Sequence, residues 1–157
     1  MPVAVIASLP KPLIPLDEYA VFISAAAPVI VDTVDAFTIE KPGNTVDFNN
    51  LSAVRSAGCG FSDQTRCFHA GGVGPVSSQY STVVNIIEFC IFSSTAGFVD
   101  FGDLSDTQGY QSSFSDKTRG IVAGGGYGYV NLIEYVTMQS SGNAVDFGDL
   151  AITNNTC

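Results

Sequence analysis

The chain has 157 residues, of which 46% are hydrophobic and only 13% are charged. This length and composition are typical of one folded domain with a hydrophobic core, and they exclude a disordered chain. Fifteen acidic residues against six basic ones give a net charge of −9, which disfavours nucleic acid as a partner because its phosphates are bound by clustered Lys and Arg.

The N-terminal segment, residues 1–15, contains four prolines and a single charged side chain, Lys11. Proline removes a hydrogen-bond donor from a strand, so we predict an extended arm over 1–15 and a single all-β domain over 16–157.

The apolar run before Pro10 lacks a basic region and is not expected to be a signal peptide. No stretch approaches the roughly 18–20 apolar residues that span a bilayer, so no membrane partner is predicted.

After this arm, one sequence pattern occurs three times. Val99–Leu104 and Val145–Leu150 are both Val-Asp-Phe-Gly-Asp-Leu, and a worn copy, Val46–Leu51, keeps the Val-Asp-Phe and the Leu. Self-similarity at a fixed spacing indicates a repeat architecture. The phenylalanine and leucine that end each copy are the predicted repeat core: Phe48, Phe101, Phe147, Leu51, Leu104 and Leu150. The three repeats run at about 5–51, 52–104 and 105–150.

The spacing between copies locates one insertion. Phe147 lies 46 positions after Phe101, whereas Phe101 lies 53 positions after Phe48. The seven additional residues fall in the Val73–Val84 loop of the second repeat, and the register holds on both sides of it. Repeat proteins vary in this way because loops tolerate insertions that packed strands do not.

Within each repeat the pattern predicts four short strands. These segments are rich in Val, Ile, Phe, Tyr and Thr, and they end at Gly, Ser, Asn or Asp, which is typical of strands. No window of 11 residues has the apolar period of a helix. We therefore predict an all-β fold with almost no helix, and in the second repeat the strands are expected at 57–62, 66–70, 86–92 and 97–101.

The order of motifs in the second repeat resembles a kelch-type β-propeller blade. In that family a strand ends in a double glycine, here Gly71-Gly72; a glutamate–aromatic pair follows, here Glu88-Phe89; and an aromatic then precedes a leucine, here Phe101 and Leu104. The sequence motif Gly-Asn-Ala-x-Asp-Phe-Gly-Asp-Leu is similar to kelch-like repeats in virion proteins of marine tailed bacteriophages.

The resemblance has departures as well as consequences. Phenylalanine stands where kelch blades usually carry tryptophan, and in the first copy Ala25-Ala26 replace the glycine pair while Ala20 replaces the arginine. A propeller closes with about four to eight blades, so three repeats leave two open ends. Closure by oligomerisation, for example a six-bladed ring from two chains, is therefore implied. The alternative fold is a β-trefoil, which has three repeats and closes as a monomer.

An ion pair is predicted within each complete blade. Glu88 and Glu134 stand on strands, with Arg66 and Arg119 at matching positions of their repeats. We predict that Arg66 pairs with Glu88 and Arg119 with Glu134, as register devices more than as sources of stability.

No catalytic, cofactor or metal site is predicted. Asp-Phe-Gly, at 100–102 and 146–148, spells the kinase magnesium motif but recurs with the repeat and lacks every other kinase signature. His69 is the only histidine, so a zinc site or a catalytic triad is not expected. The recurring aspartates are expected to cap turns, and a calcium site is the alternative.

The four cysteines, Cys59, Cys67, Cys90 and Cys157, do not recur at equivalent positions. A disulfide framework would follow the repeat, so we predict small buried apolar residues, with a Cys59–Cys67 bridge as the alternative.

Together with the resemblance, these patterns favour a non-enzymatic structural protein of a tailed-phage virion, made in the host cytoplasm. Its expected partners are copies of itself and other virion proteins. The alternative is a carbohydrate-binding module that recognises a host-surface glycan through loop tyrosines, for which the candidates are Tyr80, Tyr110, Tyr127 and Tyr129.

Overall fold

The computed structural model of the chain describes residues 19–23, 30–39, 42–77, 80–94, 96–126 and 130–153. Among these residues every regular element is a strand, which confirms the all-β prediction. The predicted N-terminal arm, residues 1–15, lies outside the described residues. The strands are β1 (Tyr19–Ile23), β2 (Thr33–Thr38), β3 (Val46–Asn50), β4 (Cys59–Ser62), β5 (Arg66–Ala70), β6 (Val73–Ser77), β7 (Tyr80–Val83), β8 (Ile86–Ile91), β9 (Val99–Asp103), β10 (Ser112–Ser115), β11 (Arg119–Ala123), β12 (Leu132–Thr137) and β13 (Val145–Asp149).

The strands form one main antiparallel sheet in each repeat, and β6 and β7 form a separate two-stranded sheet in the second. The second repeat contains β4-β5-β8-β9 and the third β10-β11-β12-β13, while the described part of the first contains β1-β2-β3. In each main sheet the neighbours in space are also in order along the chain, with β6 and β7 inserted between β5 and β8. The four strands predicted in the second repeat are therefore confirmed, with their ends shifted by up to two residues.

The same irregularity interrupts all three sheets. The register between the last two strands shifts at Val34/Asp35 in the first repeat, at Ile87/Glu88 in the second and at Ile133/Glu134 in the third. Gly102 and Gly148, on the strands that face the second and third of these points, have φ of 155° and 144°, a conformation that favours glycine. The repeat in the sequence is thus also a repeat in strand register.

The insertion in the second repeat forms a β-hairpin rather than the predicted loop. Strands β6 and β7 pair antiparallel, and a bridge between Ser56 and Val73 joins this hairpin to the start of the repeat. The inserted segment contains valines on both strands, Val73 and Val76 on β6 and Val83 on β7, and β-branched residues favour a short strand over a loop.

Hydrophobic cores lie between the sheets of successive repeats. In the second repeat, we call the side that faces the third repeat the back face and the side that faces the first repeat the front face. The equivalent sides of the other two sheets take the same names. The back face of the first repeat packs on the front face of the second, and this core contains Val34, Ala36, Phe48, Leu51, Cys67, Cys90 and Phe98. The back face of the second repeat packs on the front face of the third, and this core contains Phe61, Phe68, Ile87, Phe101, Leu104, Val122, Val136 and Met138.

Side chains and backbone also join neighbouring sheets by hydrogen bonds. The hydroxyls of Ser113 and Ser115 on β10 donate to the carbonyls of Gly60 and Ser62 on β4, each at 2.7 Å. Gly120 on β11 lies so close to the Phe61 ring that a Cβ there would fall 2.2 Å from it. The first strands of the second and third repeats are therefore held close together.

Candidate functional site

The most strongly buried polar group of the described residues is an ion pair that the sequence interpretation missed. Glu88 is buried on the front face of the second repeat, where its Oε1 accepts a hydrogen bond from Nη2 of the equally buried Arg55. Its Oε2 accepts from the backbone N–H of Ser52 at 3.2 Å. Glu88 therefore ties its strand to the segment that enters the same repeat.

The third repeat has the matching glutamate without the arginine. Glu134 is buried and accepts from the backbone N–H of Ser105 at 2.9 Å, just as Glu88 accepts from Ser52. At the repeat position of Arg55 the third repeat has Gln108, which is also buried. The glutamate–serine contact is thus common to both repeats, whereas the charge partner belongs to the second alone.

The predicted ion pairs, Arg66 with Glu88 and Arg119 with Glu134, are wrong. On β5 and β8, Glu88 lies opposite His69, and Arg66 lies opposite Ile91. Because side chains alternate between the two sides of a strand, Arg66 is on the back face and Glu88 on the front face. The same register separates Arg119 from Glu134 in the third repeat. Matching positions in two repeats do not show which face of the sheet a residue occupies. That face follows from the alternation of side chains along the strand.

The two arginines instead lie over aromatic rings on the back faces. The Arg66 guanidinium is 5.5 Å from the centroid of Phe68 and binds Asp63 Oδ2 at 2.6 Å. The Arg119 guanidinium is 4.7 Å from the centroid of Tyr135. Both contacts are cation–π interactions, in which a guanidinium lies over an aromatic ring.

The first repeat carries a tyrosine at the position of these arginines. Tyr19 lies opposite Thr38, as Arg66 lies opposite Ile91 and Arg119 opposite Thr137. The predicted equivalence of Ala20 to the arginine is therefore wrong by one residue.

A second buried polar group lies around the start of the third repeat. Gln108 and Gln111 are buried, and their amide atoms have no hydrogen-bond partner among the described residues. Gly71 makes room for them: it has φ of 62°, and a Cβ there would lie 2.2 Å from Gln111 Nε2. Gly71 of the kelch-like double glycine is therefore required by its positive φ and by the close approach of the Gln111 amide.

His69 is buried on the front face of the second repeat, where it lies opposite Glu88. Burial, followed by the nearby positive charge of Arg55, lowers its pKa from 6.5 to about 3. The imidazole is therefore neutral at physiological pH. At the same position the third repeat has Val122, so no repeat-wide chemistry depends on the ring.

The backbone is strained at one matching point in each of the two complete repeats. Ala57 and Tyr110 have φ of 55° and 61°, although neither is glycine. The N–H of Tyr110 donates to the carbonyl of Ala57 at 2.7 Å, so the two strained residues contact each other across the repeat boundary. The Tyr110 side chain is exposed.

Three further tyrosines were predicted as candidates for a glycan site. Tyr80 begins β7, the second strand of the inserted hairpin, and Tyr127 and Tyr129 lie outside the described residues.

The cysteines of the described residues are free thiols. Cys59, Cys67 and Cys90 are buried, as predicted, and the alternative Cys59–Cys67 bridge is wrong. Cys67 lies directly opposite Cys90, with 3.7 Å between the sulfur atoms. Burial raises the pKa of Cys59 to about 12, which keeps it as an unreactive thiol.

The two ends of the stack expose positions that its interior buries. Phe147, on the back face of the third repeat, is 57% exposed, whereas its equivalents Phe101 and Phe48 are 3% and 8% exposed. Leu150 is half-buried, while Leu51 and Leu104 are buried. The assignment of Phe147 and Leu150 to the core is therefore corrected, because no fourth repeat covers them within the described residues.

The first strand of the third repeat also exposes a phenylalanine whose equivalent in the second repeat is buried. Phe114 on β10 is 63% exposed, whereas its equivalent Phe61 on β4 is 6% exposed and stacks on Phe68 at 5.1 Å. At the opposite end, Phe37 and Ile39 are exposed on the front face of the first repeat. The candidate functional site is therefore this pair of open faces.

No family model and no curated protein matches this chain. Within the described residues, no helix is long and apolar enough to cross a membrane. The same part of the chain has no group of three or more His, Cys, Asp or Glu that could hold a metal ion.

Proposed function

We propose that this chain is a non-enzymatic structural protein of a tailed-phage virion and that it acts through protein–protein contacts made by the open faces of its repeat stack. The observation that carries the proposal is the exposure of Phe147, at a position that is buried in both preceding repeats. Exposed apolar residues that are grouped on one face are typical of interaction sites. The resemblance to kelch-like virion repeats supplies the biological setting.

Propeller-type blades are the architecture that we propose for these repeats. Every strand pair of the described residues joins strands of the same repeat, and the repeats meet face to face. A closed barrel, such as that of a trefoil, needs strands of different repeats to pair. Face-to-face packing of separate four-stranded sheets is the arrangement of propeller blades.

Particle composition tests the proposed function. Particles are purified on a density gradient from a culture infected with the phage that carries this gene, and the chain is quantified by mass spectrometry. We expect a fixed number of copies in every particle. A chain found only in the soluble fraction of the lysate would contradict the proposal.

The second candidate function is binding of a glycan, which the geometry around Tyr110 favours. Its side chain is 50% exposed, and its backbone has φ of 61°. An exposed aromatic ring offers a flat apolar surface with a polar hydroxyl, which suits the apolar face of a sugar ring. A glycan array separates the candidates: specific binding that Tyr110→Ala abolishes and Phe114→Ala preserves would favour the glycan, because Phe114 is the exposed aromatic of the open back face.

A further inference from the structure

We infer that the back face of the third repeat binds the front face of the first repeat of a second copy of this chain. This inference rests on the proposed function and gives it a specific interface. The argument starts from the two interfaces already present inside the chain. In both of them a back face meets a front face, and equivalent residues make the contact.

The residues at the two open ends are the separate halves of that same interface. On the back face of the third repeat, Phe114 and Phe147 are exposed, and their equivalents in the second repeat are buried against the third. On the front face of the first repeat, Ile39 is 67% exposed, whereas its equivalent Met138 is 0% exposed against the second. Each end therefore exposes large apolar side chains at positions that are covered elsewhere in the molecule.

Hydrogen-bond polarity decides which face meets which. The turn before the last strand of a repeat donates backbone N–H groups from its front side to the last strand of the preceding repeat. Gly142 donates to the carbonyl of Phe101 at 2.9 Å, and Ala144 donates to that of Asp103 at 2.8 Å. Phe98 donates to Asn50 in the same way at 3.3 Å. In these backbone-to-backbone bonds the N–H donors thus lie on front faces and the carbonyl acceptors on back faces. Side chains add bonds in the opposite direction: Asn49 Nδ2 donates to the carbonyl of Ala96 at 2.7 Å, and the N–H of Asp103 donates to Asn143 Oδ1 at 3.1 Å.

Two back faces brought together would leave these carbonyls opposite one another without donors. A back face against a front face satisfies both sets, because buried backbone groups need partners. By repeat equivalence, the carbonyls of Phe147 and Asp149 would accept from the N–H groups of Gly43 and Thr45 in the second copy. The occupant that fits the open back face is therefore the first repeat of another chain.

This contact is heterologous, so it closes into a ring or continues as a filament. Two chains supply six repeats, which lies within the four to eight blades that close a propeller. A two-copy ring leaves neither face open, and it is the assembly that we expect.

Substitutions on the two faces test the inference with the full chain. Phe147→Asp changes the back face and Ile39→Asp the front face. Val99→Asp is the matched control, because Val99 stays exposed although its repeat is covered on both sides. Far-UV circular dichroism and a urea transition check that each variant is folded.

Analytical ultracentrifugation then gives the mass of each species. We expect the unsubstituted chain and Val99→Asp to form oligomers of the 16.4 kDa chain, and each face variant alone to be monomeric, with a dissociation constant raised about 30- to 100-fold. An equimolar mixture of the two face variants should form a heterodimer, because each supplies the face that the other lacks.

Two results would overturn the inference. The first is an unsubstituted chain that stays monomeric at the highest concentration tested. The second is Ile39→Asp remaining dimeric while Phe147→Asp is monomeric, because that pattern means that two back faces meet. A monomeric chain that is nevertheless present in fixed copy number in particles would overturn this inference and leave the proposed function standing.

Discussion

The second and third repeats share a sheet but differ in their surroundings. Strand order, bulge and the glutamate–serine hydrogen bond are the same in both. The second repeat is covered on its two faces and has the buried Arg55–Glu88 pair, whereas the third has an open back face and Gln108 in place of the arginine. One sequence pattern therefore specifies the sheet, while the neighbours decide how much each residue contributes to stability.

The largest expected difference comes from one substitution made in each of the two repeats. Phe101→Ala removes a buried ring that packs on Phe68 at 5.1 Å, and it should lower the free energy of unfolding by about 3–5 kcal/mol. Phe147→Ala removes an exposed ring and should cost less than about 1 kcal/mol in the monomer. Urea unfolding at a protein concentration at which the chain is monomeric measures both losses, and equal losses would contradict the open back face.

A smaller contrast is expected for the two glutamates. Glu88→Gln leaves Arg55 as a buried charge without its carboxylate, and we expect a loss of about 3 kcal/mol. Glu134→Gln keeps an oxygen that can accept from the Ser105 N–H. It leaves no buried arginine unpaired, because position 108 is a glutamine, so we expect a loss of about 1 kcal/mol or less in the free energy of unfolding.

Chemical unfolding of the two variants at neutral pH provides the measurement. If Glu134→Gln were as destabilising as Glu88→Gln, the arginine could not be the source of the difference between the repeats.

His69 should make the stability of the protein depend on pH, whereas its equivalent in the third repeat, Val122, cannot titrate. Folding lowers the pKa of His69 to about 3, so the unfolded chain binds a proton between that value and about 6.5 while the folded chain does not. Stability is therefore complete above about pH 6.5 and falls as the pH decreases, by about 2 kcal/mol between pH 6.5 and 4.5.

His69→Val, which copies the third repeat, should remove this slope. The measurement is the free energy of unfolding at several pH values in that window, and the difference in slope between the two proteins gives the contribution of the imidazole because all other titratable groups are common to both. Equal slopes in the two proteins would show that the imidazole is not the group responsible.

The sequence predicted the sheets well because their information is local. Alternating apolar residues, terminal glycines and the three copies located four strands per repeat in the second and third, and they placed the insertion correctly. The copies also predicted that Phe48 and Phe101 lie in a core, since a residue repeated at a fixed position usually packs in an equivalent place.

The candidate site was harder to predict, for two physical reasons. The Arg55–Glu88 pair joins residues 33 positions apart, and only the strand register shows that Glu88 faces away from Arg66. Phe147 has the same local sequence as Phe101, and its exposure depends on whether another sheet packs on the back face of the third repeat. Patterns within a chain do not contain that information.

The smallest expected effect tests whether the third repeat retains the site of the missing arginine. Gln108→Arg places a guanidinium at the position of Arg55, near the carboxylate of Glu134, and should raise the free energy of unfolding by about 1 kcal/mol if the two repeats are equivalent there. Gln108→Met is the control, because it removes the amide atoms without adding a charge. The gain from arginine should disappear when Glu134→Gln is combined with it in a double-mutant cycle. An arginine that stabilises equally with either residue at position 134 would act through packing alone, and the equivalence of the two sites would be wrong.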